Sequence, residues 1–475
     1  MRARDTEAGE EAAPPRRPLV VKPIFTYPLP ARQHQTSWRA WGGIQTEEDA
    51  NQEAANIQRE IDQLKAAADF PVEFLPLAKV RGAGQLAAVE DIAKADALLF
   101  YSAGDGDGDL MAEVNWVDKL AKDTIFFLRH RSGPLYYWYE GASARFHRQH
   151  TDFQATKTIR CEDTVVDSMD EVLWRLRALC GLRATIGSRI VVVGWPELSG
   201  WPSEETMDQV RRLWKLDLQT VSYEALGKLI RAARGDQKAV DLARRRAEAY
   251  LKLPQTKLET DVRFVQRAFL LEQILRGLMQ RADCRAITVA GCMSAVIPIA
   301  ETTACLSLST LNDAGCLALC EADFVAIPAT MLLGNISGRP TFMNAPTFPH
   351  EGIITLAHCT APRKMDGNRL EPVRIMTHFE SDYGAAPRVE MPAGQKVTMV
   401  VPDFASKRYL GLSGEIESNP TGAICRTQLD VRLNAPSLQV AERMPGYRWV
   451  VVYGDYLREV GYALRRVPIE WDCLG

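Results

Sequence analysis

The sequence predicts an α/β protein in which two doubly wound units precede an antiparallel β module. Three observations carry that expectation. Short apolar strands alternate with helical periodicity up to about residue 182, a second alternation starts at the β-branched run Arg189-Ile190-Val191-Val192-Val193-Gly194-Trp195, and period-two strands with little helix follow from about Thr347.

In the first unit, residues 18–29 read as a strand and residues 47–68 as an amphipathic helix, with Ala54, Ile57, Ile61 and Leu64 at helical spacing. Residues 71–76 and 95–101 read as buried strands around a helical 85–94. Residues 123–128 and 135–139 extend the sheet, and 168–182 is a further helix. The second unit has helices at 203–215, 223–234, 238–251 and 259–281, with a strand at 286–289. Arg244-Arg245-Arg246 falls on a helix face and reads as solvated surface. The β module has strands at 353–358, 373–380, 397–402, 423–433 and 448–453, a pattern suited to a barrel, before a helix at 455–464. The domain expectation is a tail over 1–17, α/β domains over 18–185 and 186–346, and a β domain over 347–475.

At 475 residues the chain is long enough for about three domains. With 46% apolar residues it is neither a disordered chain nor a coiled coil. Lys and Arg number 57 against 60 Asp and Glu, a net charge of −3, which argues against a nucleic-acid partner and favours a small ligand. Residues 1–17 lack an apolar core of the secretory type, so a cytoplasmic location with reduced thiols is expected. The stretch 287–300 is interrupted by Pro298 and followed by Glu301, too short to span a membrane.

The acidic loop Gly104-Asp105-Gly106-Asp107-Gly108-Asp109 follows a strand but lacks the spacing of a calcium loop. Neither the dinucleotide glycine fingerprint after a first strand nor a P-loop is present. Cys292, Cys305, Cys316 and Cys320 are separated by twelve, ten and three residues, which matches no paired zinc or iron–sulfur motif and reads as buried apolar lining. The segment 305–323 is expected to place Asn312 and Asp313 in a loop and then start an apolar helix carrying Glu321 and Asp323. A carboxylate among Leu, Ala, Cys and Phe needs a partner, a metal or a proton, so Glu321 is a candidate functional residue. His378 and Glu380, two apart on an expected strand, would share one face and could form an acid–base pair, bind a cation or make a structural hydrogen bond. Trp38 and Arg39 lie in a loop after the first strand, in a pattern that suits sugar or carboxylate recognition or ordinary loop packing.

Together, Leu311-Asn312-Asp313-Ala314-Gly315 through Cys320-Glu321-Ala322-Asp323, Ala357-His358-Cys359, His378-Phe379-Glu380-Ser381 and Val451-Val452-Tyr453-Gly454-Asp455 resemble the L-fucose isomerase and L-arabinose isomerase superfamily. The likeness covers roughly residues 280–460, and the Ser37-Trp38-Arg39 loop extends it less specifically. The resemblance implies two Rossmann-like doubly wound domains followed by an antiparallel β-barrel C-terminal domain, and a homo-oligomer, trimer or hexamer. It also implies an aldose–ketose isomerase that acts on a monosaccharide or sugar derivative through an enediol, with Mn²⁺ or another divalent metal. Glu321 matches the metal-binding, proton-transferring carboxylate, and His358 matches a histidine close to the metal; Trp38, Arg39, Asn312, Asp313, His378, Glu380 and Arg448 are taken as candidate substrate-binding residues.

Two positions depart from the family pattern. Residues 341–349 contain no carboxylate where a second acidic ligand is expected, and Tyr447-Arg448-Trp449 stands where a histidine ligand is expected. His378, Glu380, His350 and Glu351 are conceivable replacements, and Arg448 could supply a fixed cation in place of the metal. Beside the isomerase stand two alternatives: a carbohydrate-binding or regulatory relative without a metal, and a metal-free epimerase or lyase.

Overall fold

The computed structural model describes residues 13–31, 34, 43–104, 109–136, 159–194 and 203–474. The chain forms two compact units, Arg16–Arg183 and a second made of residues 13–15 with Ala184–Gly475. It is mixed α/β, with a parallel sheet in each unit and a closed six-stranded antiparallel β-barrel at the C-terminal end.

The first unit contains β1 (Leu19–Tyr27), α1 (Glu47–Ala67), β2 (Val72–Phe74), β3 (Ala78–Arg81), β4 (Ala97–Ser102), α2 (Asp109–Leu120), β5 (Asp123–Leu128), β6 (Thr164–Val166) and α3 (Met169–Thr185). Its parallel sheet runs β2-β1-β4-β5-β6, with β3 also paired to β1. β1, apart from Lys22, and β4 are mostly apolar, buried runs, as in a parallel sheet covered on both faces. α1 starts in a capping box: Thr46 Oγ1 accepts from the Asp49 amide over 3.1 Å, and Asp49 Oδ2 accepts from the Thr46 amide over 2.8 Å. Its buried face carries Ile57, Ile61 and Leu64, as expected from spacing, and also Glu53, which binds the buried Arg129. The helix expected over 85–94 is two 3₁₀ turns, Ala83–Ala88 and Ile92–Lys94, separated by a left-handed Asp91. Of the strand expected at 135–139, residues 135 and 136 are irregular and the rest lie outside the described residues, as do 105–108 of the acidic loop.

The second unit opens with β7 (Arg189–Val193), α4 (Glu204–Gln209), β8 (Asp217–Val221), α5 (Tyr223–Gly235), α6 (Gln237–Leu251), β9 (Thr256–Leu258), α7 (Val262–Arg281), β10 (Ala286–Val289), α8 (Ile297–Ala300), α9 (Cys305–Asp313), β11 (Leu317–Cys320) and α10 (Ile327–Ser337). β11-β10-β7-β8 is its parallel sheet. α7 begins three residues later than expected. Glu259 is tied to the Ile375 carbonyl at the end of β9, and Asp261 caps the helix by accepting from the Arg263 amide.

Two expectations in this stretch are overturned. Asn312 and Asp313 end the buried helix α9 rather than lying in a loop. Glu321 is not on an apolar helix, because Leu317–Cys320 is a buried edge strand paired with β10 and the helix starts only at Ile327. A four-residue apolar run does not distinguish the two by periodicity.

The barrel comprises β12 (Phe342–Pro346), β13 (Ile353–His358), β16 (Lys396–Pro402), β17 (Arg408–Ser418), β18 (Thr427–Leu433) and β19 (Trp449–Tyr453), and closes in the order β16-β19-β12-β13-β18-β17 through the β16–β17 pairing. β14 (Val373–Met376) and β15 (Ala386–Val389) form a small sheet with β9. α11 (Ser437–Arg443) and α12 (Leu457–Leu464) precede β20 (Glu470–Leu474), which adds to β17 in parallel. The first barrel strand lies before residue 347. β17, not expected from sequence, contains Gly411, whose glycine is required because a Cβ there would collide with the Trp471 ring. The barrel interior holds Met399, Leu410, Leu429, Trp449 and Val451. Among the described residues no single helix is long and apolar enough to cross a membrane.

Candidate functional site

The C-terminal end of β11, the end of β13 and the residue before β19 bring Glu321, His358 and Arg448 together. Parallel strands present ligand groups at their carboxyl ends, and β11 does so with a strained turn. Glu321 and Ala322 are both left-handed, at φ 67° and 49°. The turn is held by the Glu321 amide donating to the Val289 carbonyl over 2.8 Å and the Ala322 amide donating to Thr288 Oγ1 over 3.0 Å. Two consecutive non-glycine residues in this region cost free energy that the surrounding contacts must offset, a pattern that clusters at functional sites.

Arg448 joins the acidic residues of this turn. Its Nε donates to Asp323 Oδ2 over 3.0 Å, and its Nη2 is bonded to Glu321 Oε2. Its guanidinium lies 4.8 Å from the centre of the Tyr447 ring. The sequence pattern places the embedded carboxylate at Glu321, but its side chain is 43% exposed and the buried one is Asp323, at 1% side-chain exposure. Glu321 is therefore held on one oxygen and open to solvent.

The other oxygen of Glu321, Oε1, lies 3.8 Å from His358 Nε2. His358 closes β13 opposite Thr427, and its Nδ1 hydrogen-bonds Thr360 Oγ1 at 2.8 Å, which fixes the ring and turns Nε2 toward Glu321. Burial lowers the His358 pKa, so the ring is neutral at neutral pH. Cys320 Sγ completes the group. The three ligand atoms lie within 4.8 Å of one another, the one such set of His, Cys and carboxylate groups among the described residues. Burial holds the Cys320 thiol protonated by raising its pKa.

Asn312 and Asp313 are spent on backbone: Asn312 pairs with both the amide and the carbonyl of Ala318 at 2.9 and 2.7 Å, and Asp313 accepts from the Arg363 and Lys364 amides at 2.7 and 2.8 Å. They fix the approach to β11 and the segment after β13. The expected shared strand face of His378 and Glu380 is absent because β14 ends at Met376. His378 bonds Ser381 Oγ through Nδ1 at 3.1 Å, and Glu380 is exposed. A hydrogen bond with Cys359 raises the His378 pKa; hydrogen bonds from Cys425 and His378 lower the Cys359 thiol to about 4 against its burial. Cys305 and Cys359 share a small buried cluster with Ala386, against which Phe379 and Cys425 pack. His350 and Glu351 lie in an exposed turn. Trp38 and Arg39 lie outside the described residues.

From the sequence Cys320 reads only as apolar lining and Thr360 does not stand out: Cys320 meets His358 across 38 positions, whereas Thr360 bonds it from two residues away, and the adjacency of Cys320 to Glu321 at a strand end is the available signal. Mn²⁺ is a hard ion that suits oxygen-rich, six-coordinate sites. Here one carboxylate oxygen is joined by an imidazole and a thiol, and the second carboxylate, Asp323, is buried against Arg448. This donor set does not fit Mn²⁺. No protein-family model matches the chain, and no curated protein matches it.

Proposed function

We propose that the chain is a sugar isomerase-like enzyme that moves a proton between adjacent carbons of an aldose, a ketose or a close sugar derivative through an enediol. The observation that carries this reading is the division of labour on Glu321, with Oε2 held by Arg448 and Oε1 open toward His358 at 3.8 Å. Glu321 takes the proton from the carbon next to the carbonyl, and the electron pair left behind forms the enediolate. The same carboxyl returns the proton to the former carbonyl carbon, while the proton of the adjacent hydroxyl passes to the former carbonyl oxygen, so that the carbonyl moves by one carbon. A neutral, positioned imidazole is suited to hydrogen-bond the substrate oxygen where charge develops, and the Arg448 guanidinium supplies fixed positive charge in the site. Further support comes from the resemblance at Glu321 and His358, and from the two parallel sheets and the C-terminal barrel, which accord with the arrangement that resemblance implies. On this reading the protein is a cytoplasmic trimer or hexamer.

The test is proton exchange in D₂O over a panel of pentoses, hexoses and sugar acids, with deuterium located by NMR. Incorporation at the carbon next to the carbonyl, lost in Glu321→Gln, supports the reading. Absence of exchange on every sugar, or a full rate in Glu321→Gln, overturns it. The Arg448 contact on Glu321 also suits a carbohydrate-binding relative without catalysis; sugar binding with no exchange would identify that case.

A further inference from the structure

We propose that Cys320 Sγ, Glu321 Oε1 and His358 Nε2 form a three-ligand site for a borderline-soft divalent cation of the zinc class. The argument is geometric. Ligand bonds of about 2.0–2.3 Å in a tetrahedron place donor atoms about 3.3–3.6 Å apart. Glu321 Oε1 and His358 Nε2 stand at 3.8 Å, and all three atoms fall within 4.8 Å, so closing on an ion needs movements of about an ångström.

Each donor is also oriented from behind. Thr360 Oγ1 holds His358 Nδ1, leaving Nε2 for the ion; Arg448 takes Glu321 Oε2, leaving Oε1; and the backbone of the Cys320-Glu321 turn is pinned through Val289 and Thr288. Outer partners of this kind set ligand direction in metal sites. One thiol, one imidazole and one carboxylate oxygen are the donors zinc accepts, with the exposed side of Glu321 leaving a fourth position to water. The thiol releases its proton to solvent as the ion binds.

The site stands at the place of the proposed isomerase chemistry but does not depend on it, because binding is read without any sugar. The full chain, stripped with chelator, is titrated with Zn²⁺, Mn²⁺ and Co²⁺. We expect one Zn²⁺ per chain, bound at least about ten-fold more tightly than Mn²⁺. The Co²⁺ form should show a thiolate-to-cobalt charge-transfer band in the near ultraviolet. Cys320→Ser should abolish the band and weaken Zn²⁺ by at least about 100-fold, more than loss of an outer partner. A band that survives in Cys320→Ser, or Mn²⁺ bound as tightly as Zn²⁺, overturns the proposal. If Cys320→Ser does not fold, His358→Gln serves: unchanged Zn²⁺ affinity in that variant overturns it, and loss of affinity supports it.

Discussion

Arg448 Nε donates to Asp323 Oδ2 over 3.0 Å, across 125 residues of sequence, and both side chains are largely removed from water. A buried carboxylate that loses its cation is left uncompensated, at a cost of about 3–5 kcal/mol. Arg448→Leu should therefore lower the unfolding free energy of the second unit, read from urea unfolding, by about that amount. Arg448 and Asp323 replaced together by apolar residues should recover most of the loss. A single variant as stable as the parent would mean the pair carries no such weight.

Glu321 Oε1 has two proposed uses, as proton carrier and as cation ligand, and they exclude one another. Zn²⁺ added to an exchanging enzyme should slow deuterium incorporation in step with its occupancy, and chelator should restore the rate. Exchange that continues unchanged with the ion bound would separate the two uses.

Thr360 touches neither substrate nor ion, yet it fixes His358 through Nδ1 at 2.8 Å. Thr360→Val, close in volume, should weaken Zn²⁺ about 10–100-fold while leaving the melting temperature within a few degrees. Titration calorimetry and thermal unfolding of the same preparation read the two effects separately.

In the first unit, burial alone would raise the pKa of Asp167. The Ser132 hydroxyl and the amides of His130, Ser132 and Arg131, at 2.6, 2.8, 3.0 and 2.9 Å, outweigh burial and hold it well below the ordinary value of 3.8. The stabilisation is thus complete above that value and disappears as pH falls through the lower folded one. Hydrogen exchange at residues 130–132 should stay slow down to pH about 4 and accelerate below it, and Asp167→Asn should exchange faster already at neutral pH.

Local sequence determined what local physics controls. The mostly apolar runs at β1, β4 and β7 announce parallel strands covered on both faces. The spacing of Ile57, Ile61 and Leu64 announces α1, and the alternation at Ile353–His358 announces a barrel strand. It also singled out Glu321, His358 and Arg448, which the fold brings together.

Tertiary structure alone decided the rest. Whether Leu317–Cys320 is strand or helix depends on pairing with β10, and whether Asn312 is free or buried depends on the Ala318 backbone. That Asp323 is buried, Glu321 half exposed and both bound by one arginine 125 and 127 residues away is set by the fold. Likewise, His378 bonds Ser381 Oγ rather than pairing with Glu380 because β14 stops at Met376. Periodicity records which face of an element is apolar. It carries no record of which distant side chain meets that face, and the chemistry of this site is set by such meetings.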